Sequence, residues 1–149
     1  MDTDQLDQLI HQKHQVLMQL RDLSRQQLAL ISAGEDMVPL LTVLSAKQRL
    51  MDQLTLLERK LDPFRDQDPE TRKWRSPADR QRCALAAERC RSLLNETMLL
   101  EKQGVADLTR RRNETAARHK ASSSAVLASA AYAGHATGQD GHLDLTSES

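Results

Sequence analysis

The sequence predicts an all-α protein, an elongated antiparallel helical hairpin joined to a third long helix. Three observations point there. Leu recurs at three- and four-residue steps over long stretches free of Gly and Pro. Aromatic residues make up 2% of the chain, one Trp, one Tyr and one Phe. A compact globule uses such residues as bulky fillers, whereas seams between long helices do without them. Charged residues reach 28%, which suits helices with wide solvated faces.

The first helix is expected over about residues 4–32. Thr3 or Asp4 caps its start, and Asp7 places acid in the first turn. Three-four stepping gives Leu6, Leu9, Lys13, Val16, Leu20, Leu23, Gln27 and Leu30. Ile10, Leu17 and Ile31 widen that stripe. Ser32-Ala33-Gly34-Glu35-Asp36 then breaks it. Gly34 suits a left-handed helix end, Asp36 suits a cap, and Pro39 falls in a first turn, where its missing N–H costs nothing. So short a link makes the two helices antiparallel neighbours.

The second helix is expected over 37–62, with a stripe of Leu40, Leu41, Leu44, Met51, Leu54, Leu57 and Leu61. Val43 and Leu50 lie at its edges. Lys47 and Glu58 fall on seam-like steps, where a Lys stem can cover apolar surface while its head reaches water. Residues 62–77 hold Pro63, Pro69 and Pro77 and read as an irregular linker, pinned by Phe64 and Trp74. Ser76-Pro77-Ala78-Asp79 is a helix start: cap, first-turn proline and capping acid. The third helix follows over 77–120, with a stripe of Cys83, Ala87, Cys90, Leu94, Met98, Glu101, Val105 and Leu108, and Leu93 beside it. Gly104 marks a site of bending or local softness. Residues 1–120 thus form a three-helix, coiled-coil-like bundle. Residues 121–149, rich in Ala, Ser and Gly, read as a flexible, disordered C-terminal tail with room for a short Ala-driven helical turn near Ala125–Tyr132.

Formal charge is zero but uneven: −2 over residues 1–57, +5 over 58–120 and −3 over 121–149. The basic excess is small and interleaved with acids, which argues against a nucleic-acid stripe. Arg110-Arg111-Arg112 is the sharpest basic feature; near the end of the third helix it would complement the helix dipole. The N-terminus has no basic-then-apolar leader pattern, and no apolar run nears the ~20 residues of a membrane span.

Chemistry-bearing clusters are few. His11 and His14 stand three apart, a spacing that can direct two imidazoles to one metal, but nothing completes the set. Cys83 and Cys90 on one helix lie about 10 Å apart along the axis, too far for a disulfide or a shared zinc. They read as small apolar residues of a reduced, cytoplasmic protein. His119, His135 and His142 have no evident partners. Phosphate-loop, dinucleotide, nucleophile-elbow and zinc-protease motifs are absent from the sequence. The reading is therefore a non-enzyme, without cofactor or metal, that binds another protein along an apolar helix face.

Ala29-Leu30-Ile31, Gly34-Glu35-Asp36, Leu40-Leu41, Leu44, Lys47-Gln48, Leu54, Leu57-Glu58 and Leu61 together resemble the FlgN family of flagellar export chaperones. The resemblance covers roughly residues 4–110. It implies a cytoplasmic chaperone of type III flagellar export. Such a chaperone binds helical termini of hook–filament junction proteins, keeps them monomeric and delivers them to the export apparatus. It also implies substrate binding by the C-terminal region, here the open stripe Leu93, Leu94, Met98, Val105 and Leu108 of the third helix. The competing expectations are a structural coiled-coil homodimer and a nucleic-acid or membrane-surface binder acting through Arg72–Arg91 and Arg110–Arg112.

Overall fold

The computed structural model describes residues 3–34 and 36–130, the side chains of 129 and 130 excepted. Helix α1 spans Thr3–Ala33, α2 spans Met37–Arg65 and α3 spans Pro77–Ala130, with a short 3-10 helix at Pro69–Thr71. No strand occurs among the described residues. The fold is an all-α helical bundle. The chain divides into two compact units, residues 1–109 and 110–149.

Within the first unit the chain runs up, down and up. Lys13 of α1 pairs with Glu58 of α2 at 2.6 Å, and Lys47 of α2 donates to Gln27 of α1 at 2.6 Å. Numbers rise on one helix as they fall on the other, so the pair is antiparallel. The Cys90 thiol of α3 reaches the Ile10 carbonyl at 3.7 Å, and Ser24 donates to Glu101 at 2.9 Å. Here the numbers rise together, so α3 lies parallel to α1. The turn works as read: Gly34 takes φ 70° and its N–H bonds to the Ile31 carbonyl at 3.2 Å. Asp36 occupies the N-cap position of α2, but its side chain makes no capping hydrogen bond.

Leu6, Leu9, Val16, Leu17 and Leu20 of α1 form the heart of the core. Leu17 is fully buried. On α2 the buried seam is Val43, Lys47, Leu50, Leu57, Leu61 and Phe64. This corrects the expected stripe: Leu41, Leu44 and Met51 are exposed, while the supposed edge residues Val43 and Leu50 point inward. Both rows keep helical spacing. The row that wins is the one that continues to Phe64, which seals the bundle with Trp74 packed against the same cluster.

Two boundaries also move. Pro63 does not end α2, which continues to Arg65. A proline in a last turn forfeits one hydrogen bond, and burial of Phe64 holds that turn wound. Helix α3 passes residue 120 and reaches Ala130, because Ala121, Ala125 and Ala128 favour helix. The stretch 121–130 is thus helical throughout, where composition gave a disordered tail with only a short helical turn from Ala125. Residues 131–149, with His135 and His142, lie outside the described residues.

The linker is tied at both ends. Thr3 donates to the Lys73 carbonyl at 3.0 Å, and Arg72 donates to the Phe64 carbonyl at 2.6 Å. Asp68 accepts from the Glu70 N–H at 3.1 Å, and Ser76 caps α3 by accepting from the Asp79 N–H at 3.1 Å. Gly104 shows no helix break. It is buried, and a Cβ built there would meet only Ile31 Cδ1, at an ordinary 3.7 Å. Gly104→Ala should therefore stabilise the protein by about 0.5–1 kcal/mol through helix propensity. Denaturant unfolding checks this; a loss of stability would show that the approach to Ile31 is tighter.

Candidate functional site

Helix α3 presents two apolar rows. The inward row is Cys83, Ala86, Cys90, Leu93, Thr97 and Gly104, dominated by small residues that let α3 approach the hairpin closely. The outward row lies one residue further along: Leu94, Met98, Val105 and Leu108, exposed by 42, 53, 63 and 42%. A one-residue step turns a helix by about 100°. Leu93, expected among the open residues, is only 8% exposed and belongs to the core. Four of the five candidate binding residues therefore share an open face, and the fifth sits behind them. Ala87, read as seam, is replaced there by Ala86.

Behind the stripe lies a polar layer that periodicity alone does not expose. The Lys47 side chain, 9% exposed, enters the seam instead of reaching water. Its ammonium donates to Gln27 at 2.6 Å and pairs with Glu101. Ser24 donates to the same Glu101 oxygen at 2.9 Å. All three helices contribute. Further along α3, Glu96 pairs with Arg25 and, at 3.6 Å, with Arg21. Toward the linker, burial pushes the Glu58 carboxyl up, but hydrogen bonds from Lys13 and Arg65 outweigh it and hold the pKa below its ordinary value. In sequence, these layers show only as charged residues on seam steps: Lys13, Lys47, Glu58 and Glu101.

Both cysteines are free and buried. Burial, and then the neighbouring Asp7 charge, push the Cys83 thiol up to about 11. Burial likewise raises Cys90. These are packing thiols, held away from the thiolate form that chemistry requires. His11 is exposed and its ring lies 2.8 Å from the Asp7 carbonyl oxygen. Burial lowers the His14 pKa, followed by the charges of Arg89, His11 and Arg21. Among the described residues no cluster of three or more His, Cys, Asp or Glu is placed to hold a metal. A shallow hollow lies between Asp7, His11 and Arg82. Among the described residues no helix is long and apolar enough to cross a membrane.

In the second unit, Arg110–Arg112 lie well inside α3, which has no basic residue in its last turn. The expected pairing of these cations with a helix C-terminus is therefore overturned by the helix running on. Side chains from residue 112 to 128 are exposed. Comparison with known protein families, with characterised proteins and with solved structures finds no match to this chain.

The buried thiol carries a pH prediction. Its folded pKa, about 11, lies above the ~8.5 of an unfolded cysteine, so the native state keeps a proton that the unfolded chain releases. Stability should be whole below about pH 8.5 and should fall as pH rises from there toward 11. Cys83→Ala should flatten that part of the unfolding profile; an unchanged alkaline slope would place the titration elsewhere.

Proposed function

We propose that this chain is a cytoplasmic, non-catalytic export chaperone. It takes a helical terminus of a hook–filament junction protein along the outward row of α3, keeps that subunit monomeric and hands it to the flagellar export apparatus. One observation carries the binding half of this reading: Leu94, Met98, Val105 and Leu108 stay open on one face of a helix whose neighbouring row is already docked. A partner helix needs such a row of anchors along one face, and these stand at steps of four, seven and three residues. Met98 adds an adaptable surface, since its unbranched thioether fits varied partners. The client class rests on the resemblance of residues 4–110 to FlgN chaperones.

Titration of the full chain with helical terminal segments of flagellar junction proteins tests this. A stoichiometric complex is expected. Met98→Glu with Val105→Glu should weaken it by at least about tenfold, or ~1.4 kcal/mol. Both side chains are exposed, so helical content should not change. Equal affinity in that double variant would defeat the proposal.

A second reading has its own observation. Met37, Val38, Leu41, Leu44 and Met51 form another exposed apolar row, on α2. A structural coiled-coil homodimer would close that row against a second copy. Sedimentation at rising concentration separates the readings: a tight dimer with no affinity for any junction segment favours the structural role.

A further inference from the structure

The outward row of α3 is more apolar than the row it docks with. Beyond Leu93, the inward positions of α3 in the first unit are Thr97 and Gly104, both buried, and Leu100, half-buried. One step round from Thr97 and Gly104 are Met98 and Val105, and Leu94 and Leu108 lie on the same open face, all exposed. By burial of apolar surface alone, α3 should turn by about 100° and put Leu94, Met98, Val105 and Leu108 against the hairpin. It does not. The charged residues that share their spacing are Arg91, seven before Met98, and Glu101, three after Met98 and four before Val105.

We propose that Glu101, held by Lys47 and Ser24, is a register latch that keeps the small, polar row of α3 inward and the leucine–methionine row outward. In the observed register the Glu101 side chain is 39% exposed, so its carboxylate keeps water while it pairs with Lys47. Ser24, itself buried, donates to the same oxygen at 2.9 Å. Lys47 is buried and its partners are Gln27 and Glu101. Turning α3 would carry Glu101 to the middle of the seam and strip its water. It would also break the Ser24 bond and disturb the anion that a buried ammonium needs. Desolvating a carboxylate costs more than burying two or three aliphatic side chains returns. A polar residue on a helix seam that selects one register over a more apolar alternative is an established device in coiled coils. Thr97 fits the inward row because its hydroxyl bonds back to the Leu93 carbonyl at 2.8 Å and asks nothing of the hairpin. The latch is a property of the fold and holds whatever partner the outward row meets.

Pulsed oxidation of the native methionines reads the register directly, since a thioether reacts according to its exposure. Met18, Met37, Met51 and Met98 are all exposed, so all four should oxidise readily in the parent chain. Replacing the latch by an apolar pair, Lys47→Met with Glu101→Leu, in a chain that also carries Arg91→Leu, leaves a continuous apolar row on the other face. Met98 oxidation should then slow by about tenfold as its sulfur leaves water, with Met18 and Met37 unchanged as internal references. The exchanged pair, Lys47→Glu with Glu101→Lys, in the same Arg91→Leu chain, keeps an ion pair in the layer, and Met98 should stay as reactive as in the parent. Parent-like Met98 oxidation in the folded apolar variant overturns the proposal. Loss of helical circular dichroism in that variant overturns it equally, because the turned register would offer it a complete seam.

Discussion

Close approach of α3 to the α1–α2 hairpin governs this molecule. With one Phe and one Trp to fill space, the bundle cannot span wide gaps between helices. It closes them instead by setting Leu and Val of α1 and α2 against Cys83, Ala86, Cys90 and Gly104 of α3. Small residues bring the backbones together, as the 3.7 Å approach of the Cys90 thiol to the Ile10 carbonyl records. The same choice dictates what stays outside. Once the small row faces in, the large residues one step away face solvent, and α3 acquires a row able to hold another helix.

Packing in the seam is not uniformly apolar. Lys13–Glu58 and Lys47–Glu101 set ion pairs at two levels, each joining different helices. A buried polar layer contributes little net stability compared with aliphatic packing, but it penalises every misaligned arrangement. That penalty matters here, since both α2 and α3 carry two apolar rows of similar spacing. Val43 and Leu50 bury while Leu41, Leu44 and Met51 do not, and the position between the two buried residues is Lys47.

Much of this was legible in the residues. Leu6, Leu9, Val16 and Leu20 announce α1 because their row is unrivalled, and Gly34 and Ser76 announce a helix end and a helix start through local chemistry. What stayed hidden was rotation. Leu93 and Leu94, Ala86 and Ala87, Leu50 and Met51 are neighbours of nearly equal hydrophobicity, so counting apolar steps does not choose between them. The choice is made by pairing across helices, Glu101 with Lys47 and Ser24, which has no local signature. The end of α2 was hidden for a related reason: Pro63 argues for a stop, and only the burial of Phe64 explains why the turn persists. Of the five residues read as the open stripe of α3, Leu94, Met98, Val105 and Leu108 are exposed and Leu93 packs inward.

Paired substitutions at Ala86 and Ala87 address the seam most directly. Ala86 is buried against the hairpin, whereas Ala87 is half-buried at its border. Enlarging a packed position costs about 1–3 kcal/mol, while a larger side chain at a border finds room. Denaturant midpoints should therefore drop markedly for Ala86→Leu and stay near the parent value for Ala87→Leu. The opposite order, or equal losses, would mean that α3 faces the hairpin with another row and that its leucine–methionine row is not the open one.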